Sequence, residues 1–280
     1  VHVPTVLVIS DPPHGSVKED AAAAIMGLSP DEARHKLAFC APEILAATNA
    51  DRAADIAESL IATGMSVRVR DADELGRVPW PRLATAFEFG DGALRVATPT
   101  GPVELGYRDP VFAVICRPPV GFPPPAPPGR VAPEGLGASE AMEWLAHVDL
   151  YFASGGELAR LAVAPELLER LPSSDAAARR ATAHTGAAGD LLSSFLAECR
   201  RRFARLDVDA RLDGVRPRRR FVAGETGFDP DVRKRYAFGT LLLRHLLESI
   251  SPDLREATHY EMGSRLAYVL RPARGRARVG

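Results

Sequence analysis

The sequence predicts an α+β protein of two parts joined by a proline-rich connection. Three observations lead there. Residues 5–70 pass from a β-branched run through helical apolar periodicity, closed by glycines, to a second short strand. Residues 83–116 break into short strands around a Gly90-Asp91-Gly92 turn. Residues 118–133 hold eight prolines in sixteen positions, and behind them the pattern turns to longer amphipathic helices. A chain of 280 residues, 46% hydrophobic and 25% charged, has ordinary globular composition and enough length for a core in each part.

Thr5 to Ser10 reads as a buried strand closed by Asp11-Pro12-Pro13. Ser16 caps a short helix over 17–26, in which the four alanines from Ala21 to Ala24 form a small-residue face, and Gly27 ends it. Ser29-Pro30-Asp31-Glu32 starts a second helix, with Pro at the first helical position and acids where the helix dipole favours them. Its apolar stripe is Ala33, Leu37, Cys40 and Ala41, and Pro42 stops it. Ile44 and Leu45 read as a short apolar segment. Thr48-Asn49-Ala50-Asp51 then caps a helix over 51–63 that places Ala53, Ile56, Ala57, Leu60 and Ile61 on one side, with Gly64 as its stop. Met65 to Arg70 alternates as a half-buried strand.

With these elements in place, Thr5 to Arg70 resembles the C-terminal domain of the bacterial ribosomal stalk protein, whose fold is shared by the Clp-protease adaptor. The resemblance rests on Gly27-Leu28, Glu32-Ala33-Arg34, Leu37, Ala41-Pro42, Ala53, Leu60, Gly64 and Val67-Arg68-Val69, and covers about a quarter of the chain. It implies a stalk-like α/β unit. Where that family carries a lysine-rich face for translation factors, this chain has Ala21 to Ala24, Ser29, Pro30 and Asp31, with Arg34 the basic residue kept.

Leu83 to Phe89, Ala93 to Thr98, Val103 to Tyr107 and Val111 to Cys116 read as four strands of a small antiparallel sheet attached to the first unit, anchored by Trp80 and Phe87. The expected organisation is therefore a unit over 1–117, a semi-rigid linker over 118–133, a helix-rich α+β domain over 134–270 and a basic tail over 271–280. Within the back half, 138–146 reads as a short helix containing Trp144. Val148 to Phe152 and Leu158 to Val163 read as a hairpin around Gly155-Gly156. Residues 173–189 lack a period and fit a loop or a weak helix. Asp190 caps a long helix with the stripe Leu191, Phe195, Leu196, Cys199, Phe203 and Leu206, and with Arg200, Arg201, Arg202 and Arg205 on its outer side. Asp231 to Ile250 is a second amphipathic helix, and Ser264 to Leu270 fits a strand or a helix.

The formal charge is −1, with a mildly acidic front and a mildly basic back, a split too small to establish nucleic-acid binding. Cys40, Cys116 and Cys199 lie far apart in apolar runs and read as buried thiols of a reducing cytoplasm. The N-terminal apolar run is too short for a membrane span, and the apolar window 241–250 is interrupted by Arg244, His245 and Glu248, so no membrane insertion is expected. The excess of Arg over Lys and the abundance of Ala point to a GC-rich bacterial genome. There is no C-x-x-C, H-x-x-x-H, phosphate loop or G-x-S-x-G. No metal, no cofactor and no familiar catalytic motif is expected on that basis.

Two clusters stand out as candidate sites. Arg218, Arg219 and Arg220 beside Phe221, with Arg233 and Arg235 beside Tyr236, suit phosphate clamping and base stacking, or a solvated surface interleaved with Glu225, Asp229 and Asp231. His259, Glu261 and Arg265, with Tyr260 among them, suit acid–base work, or a helix end in which Glu261 and Arg265 pair at i, i+4 and Tyr260 packs inward. Asp11 and His14, at the end of the first strand, suit similar chemistry or a Pro-stiffened turn. Taken together, the sequence favours a non-enzymatic cytoplasmic protein that binds other proteins. Binding of nucleic acid or another polyphosphate by the basic back half is the alternative, and an enzyme using His259 with Glu261 comes third.

Overall fold

The computed structural model describes residues 5–12, 15–29, 33, 41–117, 146–164, 191–215 and 259–271. They form an α+β protein. Its residues cluster into two compact units, one made by described residues of 5–77 and 265–271, the other by those of 78–215 and 259–264. The short strands after residue 78 thus group with the second unit and not with the first. No helix among the described residues is long and apolar enough to cross a membrane.

In the first unit the order is β1 (Val6–Ser10), α1 (Glu19–Met26), β2 (Ile44–Thr48), α2 (Ala50–Ala62), β3 (Val67–Asp71) and α3 (Ala72–Gly76). The sheet runs β2-β1-β3 and is antiparallel throughout. Val8 of the central strand packs with Ala22, Ala53, Ala57, Leu60, Met65 and Val67, so alanines on α1 and α2 meet the sheet where larger side chains would hold the helices off. Ile44–Thr48, of which Ile44 and Leu45 read as a short apolar segment, is a strand because β1 pairs with it, Val6 to Thr48 and Leu7 to Ala47. Two alanines in five residues gave it little strand propensity of its own.

The Asn49 side chain caps α2 by accepting from the Arg52 amide at 3.0 Å. Gly64 closes α2 at φ +93°, and a Cβ there would stand 2.1 Å from the Ser16 carbonyl oxygen. Of the helix expected after Ser29, Ala33 is described, buried, with its amide on the Ser29 carbonyl at 2.9 Å; the rest lies outside the described residues.

Ser264 to Leu270, which fitted a strand or a helix, is helical within α5 (His259–Leu270). Buried Leu266, Ala267, Val269 and Leu270 follow the helical spacing. In the first unit Arg70 Nε donates to the Val269 carbonyl at 3.2 Å.

The second unit contains β4 (Arg82–Leu83), β5 (Ala86–Phe89), β6 (Ala93–Ala97), β7 (Val103–Gly106), β8 (Val111–Arg117), β9 (His147–Ser154), β10 (Glu157–Val163), α4 (Leu191–Arg202), β11 (Leu206–Asp213) and the start of α5. Three of the four strands expected in the small sheet do form it, in the order β5-β6-β7. The fourth, β8, joins instead a mixed sheet ordered β11-β8-β9-β10-β4. Every residue from Val111 to Cys116 is buried, which requires cover on both faces and a central position. The β9–β10 hairpin turns on Gly155 and Gly156, both at positive φ, as the two-residue turn demands.

The long helix expected to reach Leu206 ends at Arg202, and Leu206 to Asp213 is a strand parallel to β8. Its alternation of Leu206, Val208, Ala210 and Leu212 with Asp207, Asp209, Arg211 and Asp213 is a strand signal that the helical stripe had absorbed. One face of the sheet presents Val111, Ala113, Ile115, Val148, Leu150, Phe152, Leu161 and Val163 to a core shared with Leu192, Phe195, Leu196 and Cys199 of α4. Phe87, expected as an anchor, stacks edge-on against Phe195 at 4.9 Å, and Trp80 is half-buried. The proline-rich connection, the helix expected over 231–250 and the stretch 173–189 lie outside the described residues, as do the helix expected over 138–146 apart from Ala146 and the tail expected over 271–280 apart from Arg271.

Two outcomes test these assignments. Gly64→Ala is expected to destabilise the protein by roughly 2–4 kcal/mol, from a positive φ and a backbone collision together, against about 1 kcal/mol for Gly27→Ala, where φ is +65° and nothing lies within 4 Å; urea unfolding of both variants measures the difference. Glu198 accepts hydrogen bonds from Arg201 and Arg202, which hold its carboxyl down at about 2. A depressed folded value stabilises above the ordinary carboxyl range and is lost as pH falls through the folded value. Carboxyl NMR should therefore find Glu198 titrating near 2, and Glu198→Gln should lessen the loss of stability on acidification below about pH 4.

Candidate functional site

The second face of the five-stranded sheet is polar and buried. Cys116 pairs with His147, Val114 with Asp149 and Phe112 with Tyr151 across β8 and β9, and Tyr151 pairs with Arg160 across β9 and β10. Strand side chains alternate, so Cys116, His147, Asp149, Tyr151 and Arg160 share one face. All five are inaccessible or nearly so, at 0 to 4% exposure. The start of α5 adds Tyr260, Glu261 and Ser264, also buried.

Arg160 organises this face. Its Nη2 donates to Asp149 Oδ2 at 2.6 Å and its Nη1 to Glu261 Oε1 at 2.7 Å, and its guanidinium lies 5.2 Å from the Tyr151 ring centre. The Tyr151 and Ser264 hydroxyls share a hydrogen bond of 2.8 Å. The Tyr260 hydroxyl donates to the Val215 carbonyl at 2.6 Å, and its ring meets the His147 ring edge-on at 6.0 Å.

Burial pushes the Cys116 thiol well up, and the neighbouring Asp149 charge adds to it. Burial likewise raises the Tyr151 phenol well above its ordinary value. For Asp149 burial acts upward too, but the Arg160 charge, His147 and hydrogen bonding outweigh it and hold the carboxyl below its usual value. Arg160 is disfavoured by its own burial, yet Asp149, Tyr151 and Glu261 keep it charged. The face therefore consists of a neutral thiol and phenol around an ionised arginine and its carboxylates.

Cys116 Sγ, a ring nitrogen of His147 and a carboxylate oxygen of Asp149 lie within 4.8 Å of one another. Cys116 Sγ is 3.9 Å from Asp149 Oδ2. Asp149 Oδ1 accepts no hydrogen bond among the described residues.

Of the residues proposed from sequence, Glu261 lies in this cluster, with a partner, Arg160, that sequence reasoning had not singled out. Arg265 is buried one turn further along α5, in the portion that groups with the first unit. His259 opens α5. Arg218, Arg219, Arg220, Arg233 and Arg235 lie outside the described residues, as does His14. Asp11 is paired with Arg68 at 3.1 Å. Sequence reasoning missed Cys116, His147, Asp149, Tyr151 and Arg160. A signal was present in the two strands: His147, Asp149 and Tyr151 occupy every second position of an apolar run, and Arg160 interrupts another. Local spacing shows no metal-ligand motif, whereas the sheet register assembles donors 31 and 33 positions apart.

No protein-family model, curated protein or solved structure matches the chain. The roles of these residues follow from geometry alone.

Arg160→Met is expected to cost about 3–5 kcal/mol, because it leaves two carboxylates buried without their cation. Adding Asp149→Asn and Glu261→Gln to that variant should restore part of the loss. Denaturant unfolding at neutral pH distinguishes this from an equal or larger loss in the triple variant, which would mean that the buried charges are not what Arg160 serves.

Proposed function

We propose that the chain is a binding protein of adaptor type rather than an enzyme. The observation that carries this is the state of its chemically capable groups. Cys116, Tyr151, Asp149 and Arg160 are turned inward, at 0 to 1% exposure, with the thiol and phenol held protonated and the arginine fork engaged by carboxylates. A nucleophilic cysteine needs the opposite, a lowered pKa and access to substrate. The sequence resemblance of residues 5–70 to the stalk-protein and Clp-adaptor fold, families in which partner binding is the activity, points the same way. Free buried thiols at Cys116 and Cys199 fit a reducing, cytoplasmic setting.

Ile61, on α2, is 56% exposed and is the large apolar side chain left open among the described residues. One exposed apolar residue is common on any surface, so a variant comparison and not its exposure is the test. Affinity capture from a bacterial lysate with the full chain and with Ile61→Glu should return a partner that the wild type retains and the variant loses, at unchanged thermal stability. Capture of the same proteins by both would remove α2 as the contact face. Reproducible turnover of a substrate by the purified chain would overturn the non-enzymatic assignment.

A further inference from the structure

We propose that Cys116, His147 and Asp149 bind a divalent transition-metal ion of the zinc type between β8 and β9, independently of any protein partner. Two observations converge on it. The first is the donor set: a thiol, an imidazole and a carboxylate together suit zinc and its neighbours and do not suit magnesium or calcium, which take oxygen donors. The donors already lie within 4.8 Å of one another, and a tetrahedral ion with zinc bond lengths needs them roughly 3.3–3.8 Å apart. Binding would therefore draw the three donors together by about an ångström.

The second observation is the Asp149 carboxylate. The side chain is fully buried, Arg160 and the Cys116 thiol lie against Oδ2, the Ser264 hydroxyl acts on the carboxylate as well, and Oδ1 accepts no close hydrogen bond among the described residues. A buried carboxylate oxygen left without a donor is costly, and a cation satisfies it. Arg160 then plays the part of the outer partner that orients a ligating carboxylate.

Three protein donors leave one position of a tetrahedral ion for water or a small anion.

The test uses the purified full chain, freed of metal with a chelator and titrated with cobalt(II) and zinc. Binding at this site gives one equivalent of cobalt with thiolate-to-metal charge-transfer absorption and the intense visible bands of a tetrahedral ion, displaced by zinc. At about a hundredfold excess of free zinc over its Kd, the Tm should rise by roughly 5 °C or more. Cys116→Ser should abolish the charge-transfer band, and Cys199→Ser, which alters a thiol in the apolar core on the other face of the sheet, should leave it intact. Wild-type protein with no thiolate band overturns the proposal whatever the variants do, and so does a band that survives in Cys116→Ser, which would place the ion on another cysteine.

Discussion

The second unit depends on one buried cation. Arg160 enters the interior from β10 and meets a carboxylate from β9 on one side of its fork and one from α5 on the other. Taking three charges out of water is unfavourable by several kcal/mol per ion, and hydrophobic residues of similar volume would often serve stability as well. What the charged set adds is a single arrangement. A one-residue slip of β9 against β10 would turn Asp149 toward the apolar core and leave Arg160 with Glu261 alone, so the ion pair penalises the wrong register. Glu261 does the same for the helical start of α5, because no other turn of that helix presents a carboxylate.

The sheet tolerates this because its faces are unlike. On one side, residues of β8, β9 and β10 pack with α4 into a dry core of Val, Leu, Ile and Phe. On the other, the alternate positions of the same strands carry Cys116, His147, Asp149, Tyr151 and Arg160. Burial on both faces explains why β8 sits between β9 and β11 in the sheet and not at the rim of the small one. It also explains why the polar side chains keep fixed partners: with no water to exchange for, each hydrogen bond retained is worth more and each one lost costs more.

The sequence made legible what local patterns encode. The β1 run, the Asn49 cap, the Gly64 stop and the Gly155-Gly156 hairpin follow from propensity and turn chemistry, and they lie where those rules put them. Elements that depend on a distant partner were harder to read. Ile44–Thr48 is a strand because β1 lies beside it, β8 is central because two other strands flank it, and β11 was hidden by the apolar stripe of the preceding helix. The candidate site was the least legible. Its donors come from β8 and β9, strands separated by 29 residues, and their meeting is a property of register, not of spacing along the chain. Glu261 was noticed for its neighbours in sequence, whereas its binding partner in the fold, Arg160, lies 101 positions away.

The same environment determines how Cys116 reacts. Burial and the Asp149 carboxylate both oppose its ionisation, so toward reagents from outside the thiol is inert. Those features act in the reverse sense on a cation. Desolvation strengthens its attraction to Asp149, and a coordinated thiol loses its proton because the metal replaces the charge that the interior otherwise cannot hold. Inertness as a nucleophile and aptness as a ligand are therefore two consequences of one buried face. An ion held between β8 and β9 would add to folding free energy directly.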